Sequence, residues 1–194
     1  MRATLVLCLM SLTNIALAQD LYQTKGLSLG VSASALSWSL DNPDLDLSGS
    51  NDGAGLALDV SYGASKLVTI RFNADMSRVS VKGEDAYPVV HADIGVRFLF
   101  ARLQRRVKPF AQVLFSGVAA EQDFSSYDLK MAGGGASIGG GVLYFFSPTV
   151  ALDSELLLMA GTIDDVELNG QSMNVKIDQQ SARLKIGVRW YLGR

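Results

Sequence analysis

Single apolar and polar residues alternate along most of this chain, the period expected of strands whose two faces meet different surroundings. In Lys66 to Ser77, Val68, Ile70, Phe72, Ala74 and Met76 share one face, and Thr69, Arg71, Asn73, Asp75 and Ser77 the other. Val90 to Phe100 repeats the pattern, with Val90, Ala92, Ile94, Val96, Phe98 and Phe100 opposite His91, Asp93, Gly95 and Arg97. The final segment sets Ala182, Leu184, Ile186, Val188, Trp190 and Leu192 against Ser181, Arg183, Lys185, Gly187 and Arg189. Looser alternation covers Leu27 to Ala35, Leu56 to Tyr62, Ile138 to Phe146 and Val150 to Leu158. Phe110 to Ala119 is apolar on both faces, which leaves its register open. The pattern predicts eight strands of about 9–12 residues, close to the length a tilted strand needs to cross a bilayer.

The connections carry separate information. Gly63–Lys66 and Ser147–Thr149 are tight and Ala101–Lys108 is moderate, whereas Ser39–Ala54, Arg78–Pro88, Glu121–Ala136 and Thr162–Gln180 are long. Short turns alternating with long loops is the rhythm of an antiparallel up-and-down barrel in an outer membrane. Inside the last long connection, Val166 and Leu168, then Val175 and Ile177, flank Asn169-Gly170. Asn-Gly is a strong hairpin signal, so the last two strands are expected to project as a ribbon.

Two barrels fit such a pattern, one soluble with apolar residues inside, the other embedded in lipid with polar residues inside. Charges at mid-strand favour the second. Arg71, Arg97, Arg183, Lys185 and Arg189 stand against Asp59, Asp75, Asp93, Asp153 and Glu155, five of each sign. A narrow lumen requires that balance, because each buried charge needs a partner. On the apolar face Tyr62, Phe72, Phe98, Phe100, Tyr144, Phe146 and Trp190 lie near strand ends, where interfacial rings belong. Closure follows because hydrocarbon offers an open sheet edge no hydrogen-bond partner. Eight strands leave an interior that side chains fill, so an open diffusion pore is not expected.

Composition then agrees. The chain of 194 residues is 48% hydrophobic and 19% charged, with mean hydropathy +0.22, yet beyond residue 18 no apolar run approaches the ~20 residues of a transmembrane helix. Disorder is excluded by this hydrophobicity, and a net charge of −2 with pI 5.3 offers nothing to nucleic acid. Met1-Arg2, the apolar Ala3 to Leu12 and the small-x-small Ala16-Leu17-Ala18 read as a signal peptide over residues 1–18, leaving 19–194 as the barrel domain. Cleavage would remove Cys8, the one cysteine, so disulfides contribute no stability.

Pro109-Phe110 opening the fifth strand, Gly139-Gly140-Gly141 in the sixth and the closing Ile186-Gly187-Val188-Arg189-Trp190-Tyr191-Leu192 complete a chain that resembles the small eight-stranded outer-membrane barrels of the OmpA/OmpX type. The resemblance spans Lys25 to Leu192. It implies a monomeric all-β transmembrane barrel in a Gram-negative outer membrane, in contact with outer-membrane lipid and lipopolysaccharide and inserted by the barrel-insertion machinery. Such barrels commonly end on an aromatic residue; this one ends Leu192-Gly193-Arg194, with Trp190 and Tyr191 just before.

Candidate chemistry is sparse. Some barrels of this size deacylate or acylate lipid A, which requires a base beside a nucleophile. His91, the one histidine, shares its face with Asp93, but no serine is tied to the pair by any motif, so His91 is expected to belong to the luminal network. Asp44-Leu45-Asp46-Leu47-Ser48-Gly49, with Asp52 beyond, imitates a calcium loop, but its twelfth position is Gly55 rather than glutamate. No catalytic, cofactor or metal residues are therefore assigned. The four long connections hold thirteen acids and four bases, an acidic rim of −9. Such a rim keeps loops soluble and attracts divalent or cationic ligands. The expected function is a non-enzymatic outer-membrane barrel with a plugged lumen and a structural or surface-interaction role through its acidic loops. The alternatives are a narrow gated channel and a lipid A-modifying enzyme.

Overall fold

The computed structural model describes residues 22–42, 47–80, 86–100, 105–124, 127–173 and 175–192. The expected signal peptide, Asp44, Asp46, Glu84, Asp85 and the terminal Gly193-Arg194 lie outside these residues. The strands are β1 (Gly26–Asn42), β2 (Leu47–Gly63), β3 (Val68–Ser80), β4 (Tyr87–Leu99), β5 (Val107–Phe124), β6 (Tyr127–Phe145), β7 (Val150–Leu168), the short β8 (Gln171–Met173) and β9 (Ile177–Tyr191). From β1 to β8 each strand pairs antiparallel with the next, β7 also pairs with β9, and β9 returns to β1 through Ser28↔Tyr191 to Asp41↔Asp178. The result is a closed eight-stranded barrel, with β8 as an appendage of β7. Closure gives each of the eight wall strands a partner on both sides.

The faces are inverted relative to a soluble barrel. Leu29, Leu58, Ile70, Ile94, Phe115, Leu156 and Ile186 are exposed on the outer wall, while Asp59, Arg71, Asp93, Glu155 and Arg183 are buried within. The register that alternation left open in β5 is now fixed: Phe110, Gln112, Leu114, Ser116 and Val118 point inward, Val113 and Phe115 outward.

Much of what reads as long loop is strand. The Glu121–Ala136 connection shrinks to the link between Phe124 and Tyr127, and β1 and β2 pair out to Asn42↔Leu47. Strands of 17–19 residues in β1, β2, β5, β6 and β7 exceed the ~9–11 that cross a bilayer, so the barrel continues well past its apolar belt. There the polarity reverses: Leu36, Trp38, Val79, Val89, Met159 and Ile163 turn inward, whereas Ser37, Arg78, Glu121 and Lys130 turn outward. Alternation persists through the reversal, which is why it reads as the end of a strand when membrane length is used as a guide.

A hairpin turns at Asn169-Gly170 as expected, but it joins β7 to the short β8 rather than to the last barrel strand. Asn169 and Gly170 both take positive φ, 51° and 76°, and Val166↔Met173 to Leu168↔Gln171 pair across them. Positive φ at both central positions is what a type I′ turn demands. A register shift between Ala132 and Gly133 places Asp164 outside the β6–β7 ladder, a bulge that bends β7 below the ribbon.

Candidate functional site: a three-tiered lumen

At the end of the tight turns the lumen has an apolar floor of Tyr22, Leu99, Phe110, Leu143, Phe145, Ala151 and Tyr191. The segment before β1 crosses this mouth and ties the turns together. The Gln23 amide donates to Pro148 O (3.0 Å) and Thr24 Oγ1 to Lys66 O (3.1 Å). Arg106 Nε donates to the Tyr22 hydroxyl (2.8 Å), and Lys108 Nζ to the Tyr22 carbonyl (3.0 Å). The Tyr22 bond raises the pKa of Arg106, which stays cationic at any physiological pH. Thr24 runs so close to Gly63 that a β-carbon there would collide with its carbonyl oxygen. Lys108, which reads as a turn residue in the sequence, is instead buried, its ammonium 5.0 Å from the Phe145 ring centre. Had the β5 register been legible, Lys108 would have fallen on the face of Phe110 and Gln112.

The middle tier assembles all the luminal charges expected from sequence. Arg71 binds Asp59 and Glu155, with Gln112 Oε1 2.6 Å from its Nη1. Arg97 reaches Asp153 (2.8 Å) and Glu155 (2.6 Å), and its guanidinium lies over the Phe110 ring at 3.7 Å. Arg189 bridges Asp59 (2.5 Å) and Asp153 (2.8 Å). Lys185 contacts Glu155 (3.1 Å) and Asn73 Oδ1 (2.7 Å). Asp75 accepts from Ser34 (2.7 Å) and Ser77 (3.0 Å) and is 3.9 Å from Lys185. Asp93 takes two bonds from Arg183 and one from Ser116 (2.6 Å). The inward positions of β1 that face the arginines include Ser28 and Gly30, small enough to leave room for the guanidinium of Arg189. Gln112, Asn73, Ser116 and Lys108 are polar members that the charge count overlooked; their signal was the shared face alone. Lys108 also makes the buried cations outnumber the five luminal acids among the described residues.

His91 faces Asp75 across the β3–β4 ladder and is wholly buried. Neither ring nitrogen has a hydrogen-bond partner among the described residues. Ser116 bonds Asp93 and Ser137 instead, so the histidine, aspartate and serines do not line up as a base and nucleophile. The third tier, above the charges, is apolar: Leu36, Trp38, Val79, Tyr87, Met131, Met159 and Ile177, with Trp38 Nε1 donating to Gln179 Oε1 (3.1 Å). This apolar layer departs from the polar interior that the alternation predicts.

A scan of protein-family models finds no match, and comparison with curated proteins likewise finds none. Solved structures do match. Neisserial surface protein A superposes with a TM-score of 0.64 at 20% identity, covering 87% of this chain and 100% of that one. OprG of Pseudomonas aeruginosa gives 0.60 at 9% identity, covering 89% and 99%, and AlkL 0.59 at 15%, covering 89% and 92%. The fold is that of the small eight-stranded outer-membrane barrels. At these identities the likeness extends to architecture alone.

Six of the seven aromatics expected at the interfaces occupy one end of the wall; Phe72, expected near a strand end, instead lies in mid-wall, where it and the outward Phe115 flank Ile94. Tyr62, Phe98, Phe100, Tyr144, Phe146 and Trp190 are exposed near the tight turns, and Phe72 stands further along β3, level with Val60 and Ile94. At the opposite end Trp38 and Tyr87 turn into the lumen, their rings 6.2 Å apart. The acids of the rim sit largely on strands: Asp41, Asp52, Glu121, Asp128, Asp164, Asp165, Glu167 and Asp178 are exposed or half-buried positions of β1, β2, β5, β6, β7 and β9, and Asp123 belongs to β5. Acidic loops are thus better described as an acidic barrel extension. Lys130 lies among them, 2.7 Å from Glu121, and that hydrogen bond raises its pKa.

Proposed function

We propose that this chain is a non-enzymatic, monomeric integral protein of a Gram-negative outer membrane, exported through a cleaved signal peptide over residues 1–18. The outer wall of leucine, isoleucine and phenylalanine faces lipid and lipopolysaccharide, the tight turns face the periplasm, and the acidic extension faces outward. The barrel-insertion machinery is the expected assembly partner. One observation carries the reading: an apolar outer wall encloses a cross-linked ionic tier, an arrangement stable only when lipid surrounds it. The role is structural, or one of surface interaction through the acidic extension, because the ionic tier and the Tyr22 floor block the lumen.

Outer-membrane fractionation with heat-modifiable migration on unboiled gels tests the location; recovery in the soluble periplasmic fraction would overturn it. Planar-bilayer recording tests the plug. The expected result is no sustained conductance. Sustained openings that disappear in Arg71→Ala or Asp153→Ala variants would establish the gated channel instead, and altered lipid A on overexpression would establish an enzyme.

A further inference from the structure

The outer wall is interrupted by a lateral notch where the apolar belt meets the acidic extension. The β4–β5 ladder stops at Val89↔Ala120. Its next member on β4 is Pro88, which has no N–H to continue the ladder. Beyond this point Glu121 to Phe124 pair only with β6 among the described residues, so the β5–β6 hairpin overhangs the shorter β3–β4 end. The bulge beside Ala132 bends β7 on the far side. Between them lies a groove of about 400 Å³, within the range of small-ligand sites.

Its lower wall is apolar and continuous with the lipid-facing surface, through Met76, Val90 and Ala119. Its upper wall is charged. Register places Glu121, Lys130 and Glu167 in one row across β5, β6 and β7, and Asp165 beside Ala132 in the same groove. Lys130 is engaged with Glu121, which leaves Asp165 and Glu167 in excess.

We propose that this notch binds a cationic amphiphile, its apolar tail lying along Met76 and Val90 and its cationic head held by Asp165 and Glu167. The assignment rests on the outer-membrane reading above, which puts the notch at the outer lipid boundary. Among the described lining residues an anionic headgroup would meet three carboxylates against one lysine, and a neutral one would leave the acids without a counter-charge. An amine at the end of an alkyl chain satisfies both walls.

The native methionines supply the probe. Met76 is exposed on the groove face, whereas Met131 and Met159 are buried in the upper lumen and Met173 lies on the ribbon. The barrel, labelled with [methyl-13C]methionine in dimyristoylphosphatidylcholine nanodiscs, is titrated with tetradecylamine, tetradecanol or tetradecanoate. A saturable shift at Met76 with the amine is expected, with the alcohol about fivefold weaker and the carboxylate without effect. The Asp165→Asn/Glu167→Gln variant should bind the amine about fivefold more weakly, the scale of partly exposed charge pairs. Its Met159 and Met173 lines report that the fold is kept. Equal binding of amine and alcohol, an unmoved Met76, or undiminished binding in the variant would overturn the proposal. Labelling of Ser172→Cys in intact cells with an impermeant maleimide is read in parallel. Amine binding without surface labelling would overturn the outer-surface reading and leave the groove assignment standing.

Discussion

Arg183 on β9 spans the lumen to Asp93 on β4, donating two 2.8 Å hydrogen bonds from Nη1 and Nη2. Three strands separate β9 from β4 in either direction around the wall, so the pair is a diametric strut. Both side chains are 0% exposed.

Removing one end of that strut strands the other charge. Asp93→Ala is expected to lower stability by ~3–5 kcal/mol, the cost of an uncompensated buried ion. The Asp93→Leu/Arg183→Met double variant should recover most of the loss. Urea unfolding in lipid, followed by loss of the folded gel band, measures both. A double variant no more stable than Asp93→Ala would show that the pair's packing, rather than its charge, sets the loss.

The two tryptophans provide an optical test of which face meets lipid. Trp190 is 42% exposed on the outer wall and Trp38 is 1% exposed within. In bilayers containing brominated lipid, quenching should be retained in Trp38→Phe and largely lost in Trp190→Phe. Quenching carried by Trp38 would refute the inverted polarity.

The floor tests the part played by the segment ahead of β1. Tyr22→Ala removes a ring tilted against Phe145, centroids 5.4 Å apart, and the acceptor for Arg106, and should cost ~3 kcal/mol, as other large-to-small aromatic truncations do. Gly63→Ala should produce faster hydrogen exchange at the Gln23 amide, because Thr24 must move away. Unchanged exchange there would mean that the close approach to Thr24 is not maintained in solution.

At the other end, the ribbon should behave as a unit of its own. Asn169→Val forces a β-branched residue into positive φ and removes the Oδ1 acceptor of the Asp128 amide (3.0 Å). Proteolysis within 169–176 is expected to accelerate while the urea midpoint of the barrel stays put. A shifted midpoint would instead make the ribbon part of the cooperative core.

Period-two alternation was sufficient to place Arg71, Arg97, Arg183, Lys185 and Arg189 on the same side of the wall as their acids, because a strand fixes faces by parity alone. Parity says nothing about which environment lies on each side. Past the belt the exterior becomes water, so Leu36, Trp38 and Val79 occupy inward positions that serine and arginine occupy lower down. The upper tier was therefore hidden in plain alternation. Lys108 was missed for a related reason: Val107 to Phe115 offers apolar residues on both faces, so parity had no reference there. Partners within the network depend on strand stagger around the cylinder, which no single segment encodes.

The order of the strands along the chain has a consequence for biogenesis. Asp59, Asp75, Asp93, Asp153 and Glu155 are all supplied by β2 to β7, whereas Arg183, Lys185 and Arg189 arrive only on β9. Until the last strand docks on β1, five carboxylates share three cations, Arg71, Arg97 and Lys108, among the described luminal residues. An unfinished sheet therefore carries uncompensated negative charge on its concave face, and hydrocarbon rejects it. Sealing the cylinder and supplying its last three cations are one event, so the hydrogen bonds of the β1–β9 seam are reinforced by the ion pairs that Arg183, Lys185 and Arg189 make with Asp93, Glu155, Asp59 and Asp153.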